Sequence, residues 1–292
     1  MELFAQFVVN GLAAGVLYAL VAMGIVLLYR TARVLNFAHG DLAALGTLVA
    51  FTAAAERQAP FGVAAVAALA ASAAAGALFY GVVVRHARDA SPLAQSIMTL
   101  GLALLLSGTA VAVWGTDIKA MPFPLSPARV YRAGGIVVSE LHLGSVAAAG
   151  VLMGTLYWLV QRSRWGLAMR AISQDPVAAR LVGVRSRRVL AATWAMSGAM
   201  GAAAGLLLSP VTLVDPFFML NPFLKGFAAA VMGGLDSPPG AVVGGVTLGV
   251  LESVLAGYVS VAFKSTLAFV MIVLVLMVRP EGILGREFKR RV

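Results

Sequence analysis

The sequence predicts an all-α, polytopic integral membrane protein with about eight or nine transmembrane helices, counted at the ~20 apolar residues a spanning helix needs. Three observations carry this reading. The 292 residues are 61% hydrophobic and only 12% charged, with a mean hydropathy of +0.93. A soluble domain is nearer about 45–50% apolar and ~25% charged, so the solvent for this much apolar surface is lipid. Apolar runs of spanning length recur along the whole chain. Basic residues gather in the segments after alternate runs, as the positive-inside rule requires.

The spans are read in order. Phe4–Leu28 is the first; it follows Met1-Glu2-Leu3 without a basic n-region, so it is expected to be a retained helix and not a cleaved signal. Leu42–Ala55 is short and is expected to begin nearer Ala38. Phe61–Val84, Ser96–Trp114, Leu141–Gln161 and Leu190–Val214 follow, then a Gly-rich region, 217–259, and a last span, Lys264–Val278. At the middle of 217–259 stands GGLDSPPG, Gly233 to Gly240. Adjacent prolines among glycines cannot continue a helix. This region is expected either to cross twice or to re-enter and then cross. Such a break at membrane depth needs protein or a water-filled cavity over its free backbone. The longest loop on the opposite side, Gly115–Glu140, holds Pro122, Pro124 and Pro127, and is expected to be extended or turned.

Charge sets the orientation. Arg30 and Arg33, Arg85 and Arg88, the segment Arg162–Arg188, and the tail with Arg279, Arg286, Lys289, Arg290 and Arg291 share one side. The other side keeps Arg57, Lys119, Arg129 and Arg132. The N-terminus is then outside and the C-terminus cytoplasmic. The same rule explains the net charge of +10 without nucleic acid. The 292 residues read as one transmembrane domain, with 162–189 a cytoplasmic loop inside it.

That loop holds seven of the 22 Lys and Arg residues and one acid, Asp175. Asp175 before Pro176 suits an N-cap and a first helical position. Ala178, Ala179, Leu181 and Val182 offer a small apolar surface, and Gly183 is placed to end the helix. A short capped helix in a cytoplasmic loop fits the groove of a partner protein.

Enzyme chemistry finds no support. The chain has no cysteine, and its three histidines, His39, His86 and His142, are scattered. No phosphate-binding GxxxxGK[ST] loop is present, nor HExxH or GxSxG. The candidate ionisable residues at membrane depth are Glu252, Asp41 at the start of the second span, and Lys225, with Lys264 at the start of the last; a Glu252–Lys225 pair would let both charges stay in a low-dielectric interior.

Four ordered segments carry a family resemblance. Ala178, Ala179 and Gly183 match the xAA-x3-G element of ABC importer permeases, with Val177 where that element has Glu. Asn36-Phe37-Ala38-His39-Gly40-Asp41 resembles the NFAHG-[DE] segment of branched-chain amino-acid permeases. Pro222 to Ser237 followed by GAVVGG resembles that family's second signature, and Arg279-Pro280-Glu281-Gly282 with Gly285 its RPEG-[IL]-x-G ending. Together they resemble the LivH-type permease subunit of branched-chain amino-acid ABC transporters. The resemblance implies import driven by ATP hydrolysis on two cytoplasmic ATPases, with no cofactor held by this chain. It also implies a LivM-type permease partner, an extracytoplasmic binding protein and a bacterial inner-membrane location. Urea and short-amide permeases share the layout, and an ion-coupled secondary carrier is the rival from another class. Asp175, Ala178, Ala179 and Gly183 are the expected ATPase-docking residues. Asn36, Phe37, His39, Gly40, Asp41, Lys225, Gly233 and Gly234 are expected along the substrate path, because helix ends and unwound backbone can bind a zwitterion. Phe223 and Phe227, with Phe37, are expected beside its apolar side chain.

Overall fold

The computed structural model describes residues 2–87, 91–133, 135–260, 263–279 and 281–285. Arg88, Pro280, Arg286, Lys289, Arg290 and Arg291, all used above, lie outside these. The described chain is mostly helical. α1 (Glu2–Ala32) is followed by α2 (His39–Phe51), which runs on into a π-helical turn, Thr52–Glu56. Then come α3 (Phe61–Val82), α4 (Pro92–Trp114), α5 (Glu140–Arg162), α6 (Arg164–Gln174), α7 (Pro176–Leu181) and α8 (Ser186–Thr212). α9 (Leu220–Gly233), α10 (Pro238–Tyr258) and α11 (Phe263–Val278) close the order. Among the described residues six helices are long and apolar enough to cross a bilayer: α1, α3, α4, α5, α8 and α10. α2, α9 and α11 are shorter, at 13, 14 and 16 residues.

One element departs from an all-α chain. Inside the loop 115–140, β1 (Val130–Ala133) pairs antiparallel with β2 (Ile136–Ser139), Val130 facing Ser139. The prolines that argued for irregular backbone stop at Pro127. Beyond them Val130, Ile136, Val137 and Val138 are β-branched and free to pair.

The chain forms two compact units. Unit one comprises Met1–Val26, Leu125–Gly150 and Phe223–Val292; unit two comprises Leu27–Pro124 and Val151–Pro222. In lipid the hydrophobic effect does not drive helices together, so close packing and hydrogen bonds must. Unit one shows how. Gly11, Gly15 and Ala19 of α1 lie against Gly245 and Gly249 of α10. A Cβ on Gly11 would sit 2.6 Å from Val250 Cα, and one on Gly245 2.5 Å from the Ala19 nitrogen. The backbones touch, and only small residues permit it. The break between α9 and α10 falls at 234–237, inside the expected Gly233–Gly240 segment. Gly234 takes φ +105, Ser237 caps Gly240 N–H through its hydroxyl, and Pro238 stands at the first helical position. The segment after α11 folds back on this break, where Ile283 N–H donates to Met232 O at 2.8 Å and Leu284 N–H to Gly233 O at 3.0 Å.

In unit two, α2, α3 and α8 pack most extensively. A core of Leu28, Leu42, Phe79, Leu102, Leu106 and Trp194 joins α1, α2, α3, α4 and α8. Phe79 and Trp194 meet edge to face at 5.4 Å. Ser72 Oγ of α3 donates to Leu42 O of α2 at 2.7 Å, and Trp114 Nε1 to Thr52 Oγ1 at 2.8 Å. Lys119 and Val214 exchange backbone hydrogen bonds of 2.8 and 2.9 Å, which puts the start of the 115–140 loop at the same end as the α8 C-terminus.

Candidate functional site

Three constellations emerge, two of them buried. The first is the unwound link between α1 and α2. Arg33 adopts φ +59, and residues 33–36 leave the helix. Their backbone is satisfied by α4: Leu35 N–H donates to Ser96 Oγ at 3.1 Å, and Phe37 N–H to Thr99 Oγ1 at 3.0 Å. Asn36 Oδ1 accepts from Ala38 N–H at 3.1 Å. Asn36 is buried, and His39 wholly so, its Nδ1 3.4 Å from Ser197 Oγ of α8. Asn36 Nδ2 and His39 Nε2 are buried with no hydrogen-bond partner among the described residues. Gly40 is buried and Asp41 half-buried, both in the first turn of α2, and Phe37 is half-buried. The structure thus gathers Asn36 and His39 at the meeting of α2, α4 and α8, where side chains of α4 satisfy the backbone of the unwound link.

The second lies in unit one. Lys225 Nζ sits 2.7 Å from Glu252 Oε1, with the two side chains 10% and 3% exposed. It also donates to Tyr18 Oη at 3.2 Å and stands 5.2 Å from the centre of that ring. Tyr18 Oη in turn donates to Glu252 Oε1 at 3.4 Å. The expected pair is therefore a triad. Glu252 also lines a cavity of about 320 Å³ with Asn10, Ser253 and Phe7. Tyr18, Asn10 and Ser253 escaped the sequence reading, because a single polar group in an apolar helix gives no periodic signal. Phe223 and Phe227 lie 6.3 Å apart in the same unit. Gly233 and Gly234 serve packing: Gly233 backs directly on Gly240, and a Cβ on Gly234 would meet Gly285 Cα at 2.7 Å. Neither lines the Glu252 cavity.

The third is α7. Asp175 Oδ1 accepts from Val177 N–H at 2.7 Å and Ala178 N–H at 3.0 Å. These bonds from Ala178 and Val177 hold the Asp175 carboxyl below its ordinary pKa. At the other end Val184 N–H donates to Ala179 O and Gly183 N–H to Arg180 O, both at 3.0 Å, and Gly183 takes φ +87. This is a Schellman ending, with glycine at the one left-handed position. The presented face differs from the one expected. Ala179 is only 4% exposed, turned inward against its own chain, whereas Val177, Leu181 and Val182 are 59%, 84% and 78% exposed. Ala178 is exposed beside them. At about 100° per residue, Ala179 stands about 200° from both Val177 and Leu181, on the opposite side of the helix.

These features define a class: a multi-pass helical membrane protein with a charged triad inside one unit and a capped helix displayed from a loop. No His, Asp or Glu cluster able to hold a metal occurs among the described residues. Residues 7–276 match the family model described as branched-chain amino acid transport system / permease component, and the chain belongs to this family, as a LivH-type permease. It is 33% identical to the high-affinity branched-chain amino acid transport system permease protein BraD of Pseudomonas aeruginosa, over 97% of this chain and 96% of that one. It is 32% identical to the permease LivH of Salmonella typhimurium over the same shares. The probable branched-chain permease LivH of Methanocaldococcus jannaschii is 28% identical, over 94% of this chain and 90% of its own.

Proposed function

We propose that this chain is the inner-membrane permease subunit of an ABC importer for branched-chain amino acids, powered by ATP hydrolysis on two cytoplasmic partner subunits. Its other partners are a LivM-type permease and an extracytoplasmic binding protein. Family membership over residues 7–276 carries the substrate class. The observation that supports the coupling is α7, capped at both ends, with Val177, Leu181 and Val182 held out to solvent. Exposed apolar side chains on a rigid short helix match a partner's groove. In this reading ATP-driven closure of the partners moves α7 and biases the spans between two packings.

The chain crosses nine times in this reading, N-terminus outside and C-terminus inside, with α2, α9 and α11 as short crossings. α9 is ~21 Å long at ~1.5 Å per residue, less than the ~30 Å hydrocarbon core. It therefore needs protein or a water-filled cavity at its ends. Each unit holds its own candidate path residues. In unit two the buried nitrogens Asn36 Nδ2 and His39 Nε2 suit a passing carboxylate; in unit one Glu252, held by Lys225 and Tyr18, lines a polar cavity.

Reconstitution with the three partner types tests the function. Labelled leucine should enter proteoliposomes only with ATP, and uptake should survive a protonophore. Uptake that follows the ion gradient instead points to a secondary carrier. Uptake of urea or a short amide in place of leucine points to that other branch of importers.

A further inference from the structure

Unit two contains a cleft of about 970 Å³ that the transport reading leaves unused. Its walls come from the C-terminal ends of α1 and α3, the N-terminal ends of α4 and α8, and the inner side of α6 and α7. Six arginines line it, Arg33, Arg85, Arg180, Arg185, Arg187 and Arg188, and no carboxylate does so among the described residues. The N-terminus of α8 opens into it. That helix has no side-chain cap and no acid in its first turn. Instead Arg185, Arg187 and Arg188 crowd the positive end of its dipole, the arrangement a helix disfavours unless an anion is near. The Ser186 hydroxyl, also on the lining, is buried with no hydrogen-bond partner among the described residues. Tyr80, Ser173 and Gln95 add polar groups to the lining.

Orientation of the loops asks only that arginines be on one side of the membrane. It does not ask that arginines from three separate segments face one concavity, nor that they gather at an uncapped helix start. We propose that this cleft is a binding site for a phosphate-bearing anion. The cleft is level with the ends of four candidate spans, where phospholipid headgroups lie, so an anionic phospholipid is one source. A soluble phosphate is the other. In either case guanidinium groups would bind the phosphate oxygens, with the α8 N–H groups and the Ser186 hydroxyl as further donors. Such an anion would tie the base of α7, through Arg180, to the ends of the spans.

The test is native mass spectrometry of the full-length chain, delipidated and titrated with phosphatidylglycerol, phosphatidylcholine or inorganic phosphate. It needs no partner protein and does not depend on the role of α7. Phosphatidylglycerol should bind at least tenfold more tightly than phosphatidylcholine if the source is lipid. Inorganic phosphate should bind alone, and match the lipid, if the source is soluble. The triple variant R185Q/R187Q/R188Q should bring phosphatidylglycerol to the phosphatidylcholine level or abolish phosphate binding. R57Q, at an arginine outside the cleft, should change neither. If the wild-type chain shows no preference for phosphatidylglycerol and no phosphate binding, the cleft is not an anion site, whatever the variants do. A triple variant that binds as wild type overturns the assignment as well, and would leave the arginines to a partner protein's acidic surface.

Discussion

Single residues carry the strongest energies in this chain. Lys225 and Glu252 are the clearest case, since each would be an uncompensated buried charge without the other. Removing one partner of such a pair costs about 3–5 kcal/mol, while replacing both with apolar groups is often near neutral. K225M and E252L should therefore each lower the thermal midpoint in detergent markedly, and K225M/E252L should recover most of the loss. Single effects that simply add in the double variant would show that the pair is not coupled. Asp175 acts by a different route. Its bonds from Ala178 and Val177 hold its folded-state pKa below the unfolded value. The cap's contribution is thus complete above the unfolded pKa, near 3.9, and is lost as pH falls through the lower folded value. Between about pH 5 and 8 it stays constant. D175N, still a good cap, should keep ATP-coupled uptake near wild type, and D175A should lower it several-fold. Amide exchange at Val177 and Ala178 is the direct measurement: faster in D175A, unchanged in D175N, and independent of pH over that range once corrected for intrinsic exchange.

At the scale of elements, packing in this protein rests on absent side chains. α1 and α10 touch through Gly11, Gly15, Gly245 and Gly249, and no neighbour there is a flexible tip that can yield. G245L should push the helices apart and reduce the yield of folded protein several-fold, by size-exclusion profile. G108A, on α4 where a Cβ meets nothing within 4 Å, should be silent. Equal behaviour of the two would remove the close-contact account. The display of α7 makes its own forecast. Leu181 is 84% exposed and touches little of its own chain, so L181E should leave abundance unchanged and abolish ATP-coupled uptake by about tenfold or more. Ala179 is the poorer probe, because a large residue there would unseat α7 from within. These elements also mark how far the sequence could be read. Helix positions, the break at Gly233–Gly240, and the Asp175 cap and Gly183 ending were legible, because each depends on local backbone chemistry: apolar length, proline, a short acceptor, a left-handed φ. The Lys225–Glu252 contact was legible because two charges in lipid have few alternatives. The inward turn of Ala179, the hydroxyl of Tyr18 and the hairpin at Val130–Ser139 were not, since they depend on what the folded chain brings opposite.

At the scale of the molecule the charge asymmetry becomes geometry. Arg33, Arg85 and Arg180–Arg188, far apart in sequence, line one cleft in unit two, whereas Lys119 lies with the α8 C-terminus, at the other end of that helix. In unit one the segment after α11 packs on the α9–α10 break, so those two share an end as well. The proposed nine crossings, with the basic cleft inside, satisfy every one of these pairings. An impermeant thiol reagent can examine this directly, because the chain has no cysteine of its own. Ile118 and Val182 are 70% and 78% exposed, so I118C and V182C both present a reachable thiol. In intact cells I118C should label at once and V182C only after permeabilisation. The positions lie in segments that the charge rule sends to opposite faces, so the two results should be mirror images. Labelling of V182C from outside would invert the molecule, placing α7 where no ATPase can reach it, and would take the coupling proposal down with the topology.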